Sequence, residues 1–337
     1  MSNRHGVLIA LLFLTLVSVG CVRTVKVART LPVEGPLDVT ALVARVNSMA
    51  SVERVQASIS LQFRDLRDAE IGRNKEYPAA SGTLVLSRPG HIRLRIKAPF
   101  IGKTIADMVS DGTTFRVKVY YPEDKQKFIV GSNEGRYKRV DASMQSKDAQ
   151  LQSAGALANI RPQHLTEAFL VERFPLDNPN QLYVLDEVKQ TERDTKSGSK
   201  AGADVIRSYY VLTLLEQTAG SHEATVLRRV WFDRCTSGTP LARQELYEDG
   251  RLSTSIRYQA YGAVAGGRLW PERVSIERVQ DLYSVDVIFE PKALTIDGDV
   301  PAEAFELDNE EHFPEIDLDK RADVIRANGG ADAPKPQ

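Results

Sequence analysis

Residues 91–97 alternate without a break: Ile92, Leu94 and Ile96 fall on one side of an extended chain, and His91, Arg93, Arg95 and Lys97 on the other. That period of two predicts a strand with one face in a core and one in water. The neighbouring stretches repeat it. Leu84 and Leu86 alternate with Thr83, Val85 and Ser87, while Phe115, Val117, Val119 and Tyr121 alternate with Arg116 and Lys118. Arg88-Pro89-Gly90 supplies turn chemistry between the first two strands, and Asp111-Gly112 is a strong hairpin dipeptide. Residues 81–122 therefore read as an antiparallel meander with one apolar side.

The same periodicity extends in both directions. Val55, Ala57, Ile59, Leu61 and Phe63 alternate with polar residues and predict the first strand of the sheet. Ahead of them Leu37, Val39, Leu42, Val43 and Val46 stand near helical spacing, with Asp38 or Thr40 available as N-cap, which predicts a helix that covers the sheet. Pro162 followed by Leu165, Ala168, Phe169 and Leu170 predicts one or two short amphipathic helices within residues 151–174. Strands resume after Pro179, at 182–188, 208–215, 225–232, 241–247, 252–261, 268–279 and 283–289, with Asp249-Gly250 and Gly266-Gly267 as turns. Residues 64–80 read as an exposed loop or long hairpin end, 191–203 as a loop, and 321–337 as a disordered tail. Many short strands, with helices only before and between them, fit one all-β sheet with a helical cover better than a parallel α/β fold.

Gly82 ahead of an apolar strand, then Arg88-Pro89, Pro99, Val109-Ser110-Asp111-Gly112 and Tyr121-Pro122, resemble the front half of the LolA/LolB superfamily of bacterial lipoprotein carriers and receptors. Beyond that stretch only the strand rhythm agrees. The resemblance implies a mainly β fold: a strongly curved antiparallel sheet, an incomplete β-barrel, with helices closing an apolar concave face that holds acyl chains. The lipid-binding residues would then be Ile59, Leu61, Leu84, Leu86, Ile92, Leu94, Ile96, Val117 and Val119. Alternation alone favours a filled core, the usual fate of an apolar strand face, and the resemblance is what favours a cavity. Arg88 resembles the arginine of the carriers' Arg-Pro pair, which implies hydrogen bonds to lid helices and control of their opening; a solvated turn arginine is the alternative. Phe100 and Ile101 lie between Pro99 and Gly102, where a loop is normally polar. They resemble the receptors' apolar protruding loop, which implies contact with membrane or cargo, capping of the sheet's core being the alternative.

The N-terminus adds an address. Arg4 and His5 precede an apolar run from Val7 to Val17, shorter than the roughly 20 residues that a bilayer-spanning helix needs. Ser18-Val19-Gly20-Cys21 resembles a bacterial lipobox, which implies a cleaved signal peptide over 1–20 and lipidation of Cys21. A tether over 21–36, a half-barrel over 37–316 and a tail over 317–337 complete the expected organisation. Val22 is not the aspartate that retains lipoproteins at the inner membrane, so the resemblance implies the periplasmic face of the outer membrane. Cys235 is the remaining cysteine, which leaves no disulfide framework.

Composition and chemistry narrow the reading further. With 44 basic and 45 acidic residues and a net charge of -1, the chain has no global positive field to collect phosphates, which argues against nucleic acid as a partner. His5, His91, His164, His222 and His312 are scattered without metal-ligand spacing, and there is no phosphate-binding glycine loop or nucleophile elbow. No catalytic residue, metal or cofactor is expected. The expected partners are acyl chains of lipoproteins or lipids, the membrane through Cys21, and a periplasmic carrier protein. An envelope scaffold or stress-sensing lipoprotein that binds a partner protein with the same fold is the alternative.

Overall fold

The structure, a computed structural model, describes residues 28–67, 75–98, 102–121, 123–133, 135, 160–194, 202–264 and 267–321. In chain order its elements are β1 (Arg29–Thr30), α1 (Val39–Met49), β2 (Arg54–Asp65), β3 (Lys75–Glu76), β4 (Ala80–Ser87), β5 (His91–Lys97), β6 (Thr104–Asp111), β7 (Thr114–Val119) and β8 (Lys127–Ser132). Then follow α2 (Pro162–Phe169), β9 (Gln181–Arg193), β10 (Asp204–Gln217), β11 (Ala224–Asp233), β12 (Leu241–Glu248), β13 (Arg251–Ala263), β14 (Leu269–Arg278), β15 (Tyr283–Ile296) and β16 (Glu315–Asp317). Two compact units divide the chain, Met1–Pro32 with Lys189–Ser208 and Val33–Val188 with Tyr209–Gln337. In the first, β1 pairs in parallel with the start of β10, Arg29 lying opposite Val205.

The second unit holds the extended sheet and both helices. Its strands lie in the order β10-β11-β12-β13-β14-β15-β2-β4-β5-β6-β7-β8-β16, an open curved sheet that does not close into a barrel. Neighbours pair antiparallel except β16, which adds in parallel to β8. β2 is central: Ile59 lies opposite Phe289 on one side and Gly82 on the other. Gly82 is required by close approach, because a Cβ there would stand 2.7 Å from the backbone oxygen of Arg95 on β5.

The alternation predicted for β2, β4 and β5 is present residue for residue, with Val55, Ala57, Ile59, Leu61 and Phe63 buried along β2. α1 starts where Asp38 accepts a hydrogen bond from the Ala41 N–H at 2.8 Å, and it buries Leu42, Val43 and Val46. α2 starts with Pro162, whose ring suits the first turn, and buries Leu165, Ala168 and Phe169. These side chains and the inner faces of the strands form one continuous apolar cluster.

The opposite face departs from expectation. The alternation places Lys118 in water, yet it is 3% exposed. The reason is a strap: residues 301–317 cross the outer side of β5–β8 before β16 joins β8. Lys118 pairs with Glu311 and lies over the rings of Tyr120 and Phe313. Val109 and Phe128 meet Leu307 in a second apolar cluster, with Phe313 packed against it. The two predicted loops are also shorter than expected, since β2 runs on to Asp65 and pairs with β3, and β9 reaches Arg193.

Candidate functional site

The inner face of β2, β4, β5 and β7 brings together all the side chains assigned to lipid. Ile59, Leu61, Leu84, Leu86, Ile92, Leu94, Ile96, Val117 and Val119 are between 0% and 3% exposed and belong to one cluster with the buried residues of α1 and α2. Their register explains the contiguity, because Leu84 sits opposite Leu94 and Leu86 opposite Ile92, while Leu94 faces Met108 and Met108 faces Val117. The face is therefore aliphatic across several strands and is covered by two short helices.

Arg88 projects from the β4–β5 turn and reaches the ends of both. Its Nε donates to the carbonyl of Val52, just beyond α1, and its Nη2 to the carbonyl of Val171, just beyond α2, each at 2.8 Å. Both carbonyls lie outside the helices, where no intrahelical N–H reaches them, and the forked donors of one guanidinium satisfy both at once. Asn47 of α1 ties the helices to each other: its Oδ1 accepts from Phe174 N at 2.8 Å, and its Nδ2 donates to Phe174 O at 3.2 Å. Replacing Arg88 with methionine keeps much of the aliphatic stem and removes both bonds. The expected result is a loss of about 1–2 kcal/mol in unfolding free energy, with faster amide hydrogen exchange in 163–174 than in β4 or β5. Equal exchange in wild type and variant would show that Arg88 holds nothing in place.

α2 rests on polar groups that the sequence reading did not pick out. Tyr258 Oη donates to Ala168 O at 2.8 Å, Gln244 Nε2 to Glu167 O at 3.4 Å, and Arg228 Nη1 to Glu172 O at 2.9 Å. His164 Nδ1 lies 2.6 Å from Tyr283 Oη, and burial, with Arg278 and Arg161 adding to it, holds its imidazole well below the ordinary histidine range. Burial also pushes the Glu167 carboxyl up to about 7; Arg278 opposes this, and Glu172 and Glu248 reinforce it. Arg228 had a visible signal, since it shares strand parity with Val230 and Phe232 and so falls on the apolar side. Gln244 and Tyr258 had none, because a single polar residue in a strand does not announce what lies opposite.

Cys21, Phe100 and Ile101 lie outside the described residues. Among the described residues no group of histidine, cysteine, aspartate and glutamate is placed to hold a metal ion, and no helix is long and apolar enough to cross a membrane. A polar surface pocket of about 590 Å³ at the tips of the β12–β13 and β14–β15 hairpins is lined by Glu248, Asp249, Arg251, Leu252 and Gln280, none of which belongs to the covered face.

No family model and no curated protein matches the chain. Among solved structures it is similar to a DUF1329 family protein from Desulfovibrio piger, at 13% identity and a TM-score of 0.41, over 79% of this chain and 94% of that one. It is also similar to a LolA superfamily protein from Nitrosomonas europaea, at 12% identity and a TM-score of 0.39, over 81% of this chain and 99% of that one. With likenesses this remote, the fold rests on the strand order and register.

Proposed function

We propose that this chain is a lipid-anchored binding protein of the bacterial envelope that holds acyl chains of lipoproteins, or of another acylated ligand, between the sheet and its two helices, without an enzymatic step. The observation that supports it best is the position of Arg88, which ties the ends of both helices over an aliphatic face. Arg88 and the Asn47–Phe174 pair couple α1 to the segment that follows α2, so the two helices can lift as a unit once the ties from Tyr258, Gln244 and Arg228 are released. The face they leave is matched by acyl chains, whose burial contributes about 0.8 kcal/mol per CH₂ and needs few directional polar contacts. On this reading lipidated Cys21 anchors the chain to the periplasmic face of the outer membrane, where more than one acyl chain gives stable attachment. Phe100 and Ile101 would pass cargo from a periplasmic carrier protein into the bilayer.

The test is native mass spectrometry of the purified chain, followed by organic extraction and by incubation with labelled phospholipid and a diacylated peptide. Bound acyl species, or uptake of the added ones, are the expected result. The near-complete burial of the covered face favours a second reading, in which the core stays filled and the protein is a scaffold for a partner protein. Folded, monodisperse protein that carries no lipid and takes up none would overturn the first reading in favour of the second.

A further inference from the structure

Arg228 is a charge in an unusual place. It points under the helical cover from β11 with Val230 and Phe232, and it is 5% exposed. Its guanidinium lies 4.7 Å from the centre of the Phe174 ring, and it donates to the carbonyl of Glu172 and to Gln244 Oε1. No carboxylate of the described residues forms an ion pair with it, and its buried Nε–H has no acceptor. Other cations of the same unit are treated differently: buried Arg278 pairs with Asp281 and buried Lys118 with Glu311, and half-buried Arg93 pairs with Asp107.

Removing a guanidinium from water costs several kcal/mol unless an anion compensates it, and a buried N–H left without an acceptor adds to that cost. Burial lowers the Arg228 pKa only to about 10, so at neutral pH the group keeps its charge. The unit therefore holds a cation with no carboxylate in direct contact, the Glu172 charge acting on it only through space, on the same covered face as its aliphatic side chains, with unused donors in a fork that matches carboxylate or phosphate oxygens.

We infer that Arg228 is the binding point for the anionic head, a carboxylate or a phosphate, of the acyl ligand whose chain lies along the covered face. The inference rests on the acyl-binding reading and adds to it a ligand class, anionic amphiphiles over neutral ones. It also adds a coupling. Glu172, whose carbonyl Arg228 holds, follows directly on Val171, whose carbonyl Arg88 holds. An anion that takes the place of the Glu172 carbonyl removes one of the ties on the segment that closes α2.

The experiment titrates the purified chain with oleate, methyl oleate, phosphatidylglycerol and inorganic phosphate, by calorimetry and by tryptophan fluorescence. Trp270 is a suitable reporter, being 5% exposed and packed edge-on against Phe289, which in turn meets Phe169 of α2. The expected result is that an anionic amphiphile binds about tenfold or more tightly than methyl oleate. Preference for oleate alone assigns a carboxylate, and binding of phosphatidylglycerol assigns a phosphate. Arg228→Gln abolishes the preference, read as the ratio of oleate to methyl oleate affinity within the same variant, while Arg228→Lys retains part of it. Equal binding of oleate and methyl oleate by the wild type overturns the inference without any variant. So does an Arg228→Gln protein that is less stable but keeps the preference, or binding of inorganic phosphate with no gain from an acyl chain. If no acyl species binds, the acyl reading itself fails and takes this inference with it, an outcome distinct from binding without charge preference.

Discussion

Replacing Asp107 with alanine is expected to lower the unfolding free energy by about 3 kcal/mol, read as a shift of the urea midpoint at unchanged slope. Asp107 is 1% exposed on the outer side of β6, with Arg95 of β5 opposite it on one flank and Lys118 of β7 on the other. Its Oδ1 accepts from Arg93 Nε at 3.1 Å, and its Oδ2 accepts from Arg93 Nη2 at 2.7 Å and from Arg95 Nε and Nη2 at 3.1 and 3.0 Å. Without the carboxylate, two guanidinium groups face one buried space with no counter-charge, and the desolvation of Arg93 is no longer compensated. Arg95 is 42% exposed and relaxes into water, so most of the cost comes from Arg93, at 19%. Arg93 also donates to the carbonyls of Ala304 and Glu306, so the variant loosens the strap as well as the sheet. Earlier proteolytic cleavage within 301–317 is the local sign of that. Asp107→Asn, which keeps an acceptor, is expected to cost less. A loss under about 1 kcal/mol for the alanine variant would place Asp107 among ordinary surface ion pairs.

Asp107 also shows where the sequence was readable and where it was not. Strict alternation made β2, β4, β5 and β7 legible, together with the side of each that is buried, because side-chain direction in a strand is a local property. The Asp38 cap and the apolar spacing of α1 were legible for the same reason. Long-range pairing was not: nothing near residue 59 says that β2 sits between β4 and β15, and Phe289, opposite Ile59, is distant in the chain. The strap was hidden too. Pro301 and Pro314 break its periodicity, and the partner that buries Lys118, Glu311, is 193 residues away. Alternation identifies two faces and assumes that the charged one is wet. Here another part of the chain dries it.

The candidate site divides in the same way. Its aliphatic residues follow from period two, and the place of Arg88 in the β4–β5 turn follows from the Arg-Pro pair. That Arg88 meets carbonyls beyond both helices depends on how α1 and α2 end over the sheet, which a strand pattern does not specify. Arg228 stood in the sequence as a cation on the apolar side of its strand, a local conflict of the kind that marks functional positions. Counting charges could not separate it from Arg229, its neighbour on the other side.

Glu167→Gln is expected to leave stability unchanged near pH 4.5 and to raise it by about 3 kcal/mol above pH 7. Glu167 lies on α2, and its carboxyl titrates near 7 in the folded chain against 4.5 when unperturbed, with burial as the main cause. Because the folded pKa is raised, the folded state holds a proton that the unfolded chain gives up between those two values. The stabilisation it contributes is full below pH 4.5 and is lost as pH rises through about 7. His164 acts with the opposite sign. Its folded pKa is lowered, so its contribution is present above 6.5 and is lost as pH falls below that value. The two opposing terms flatten the wild-type profile, which makes the profile alone a poor test. The difference between wild type and Glu167→Gln isolates the carboxyl, since His164 is common to both. A difference that climbs through the window and then levels off is the expected result, and one that is flat from pH 4.5 to 8 would sink it. Because Glu167 sits on a helix that covers the aliphatic face, its ionisation weakens the cover itself and, on the acyl-binding proposal, the hold on a bound chain. Wild-type protein should therefore exchange a bound fluorescent acyl probe faster at pH 8 than at pH 6, and the glutamine variant should exchange it at nearly the same rate at both.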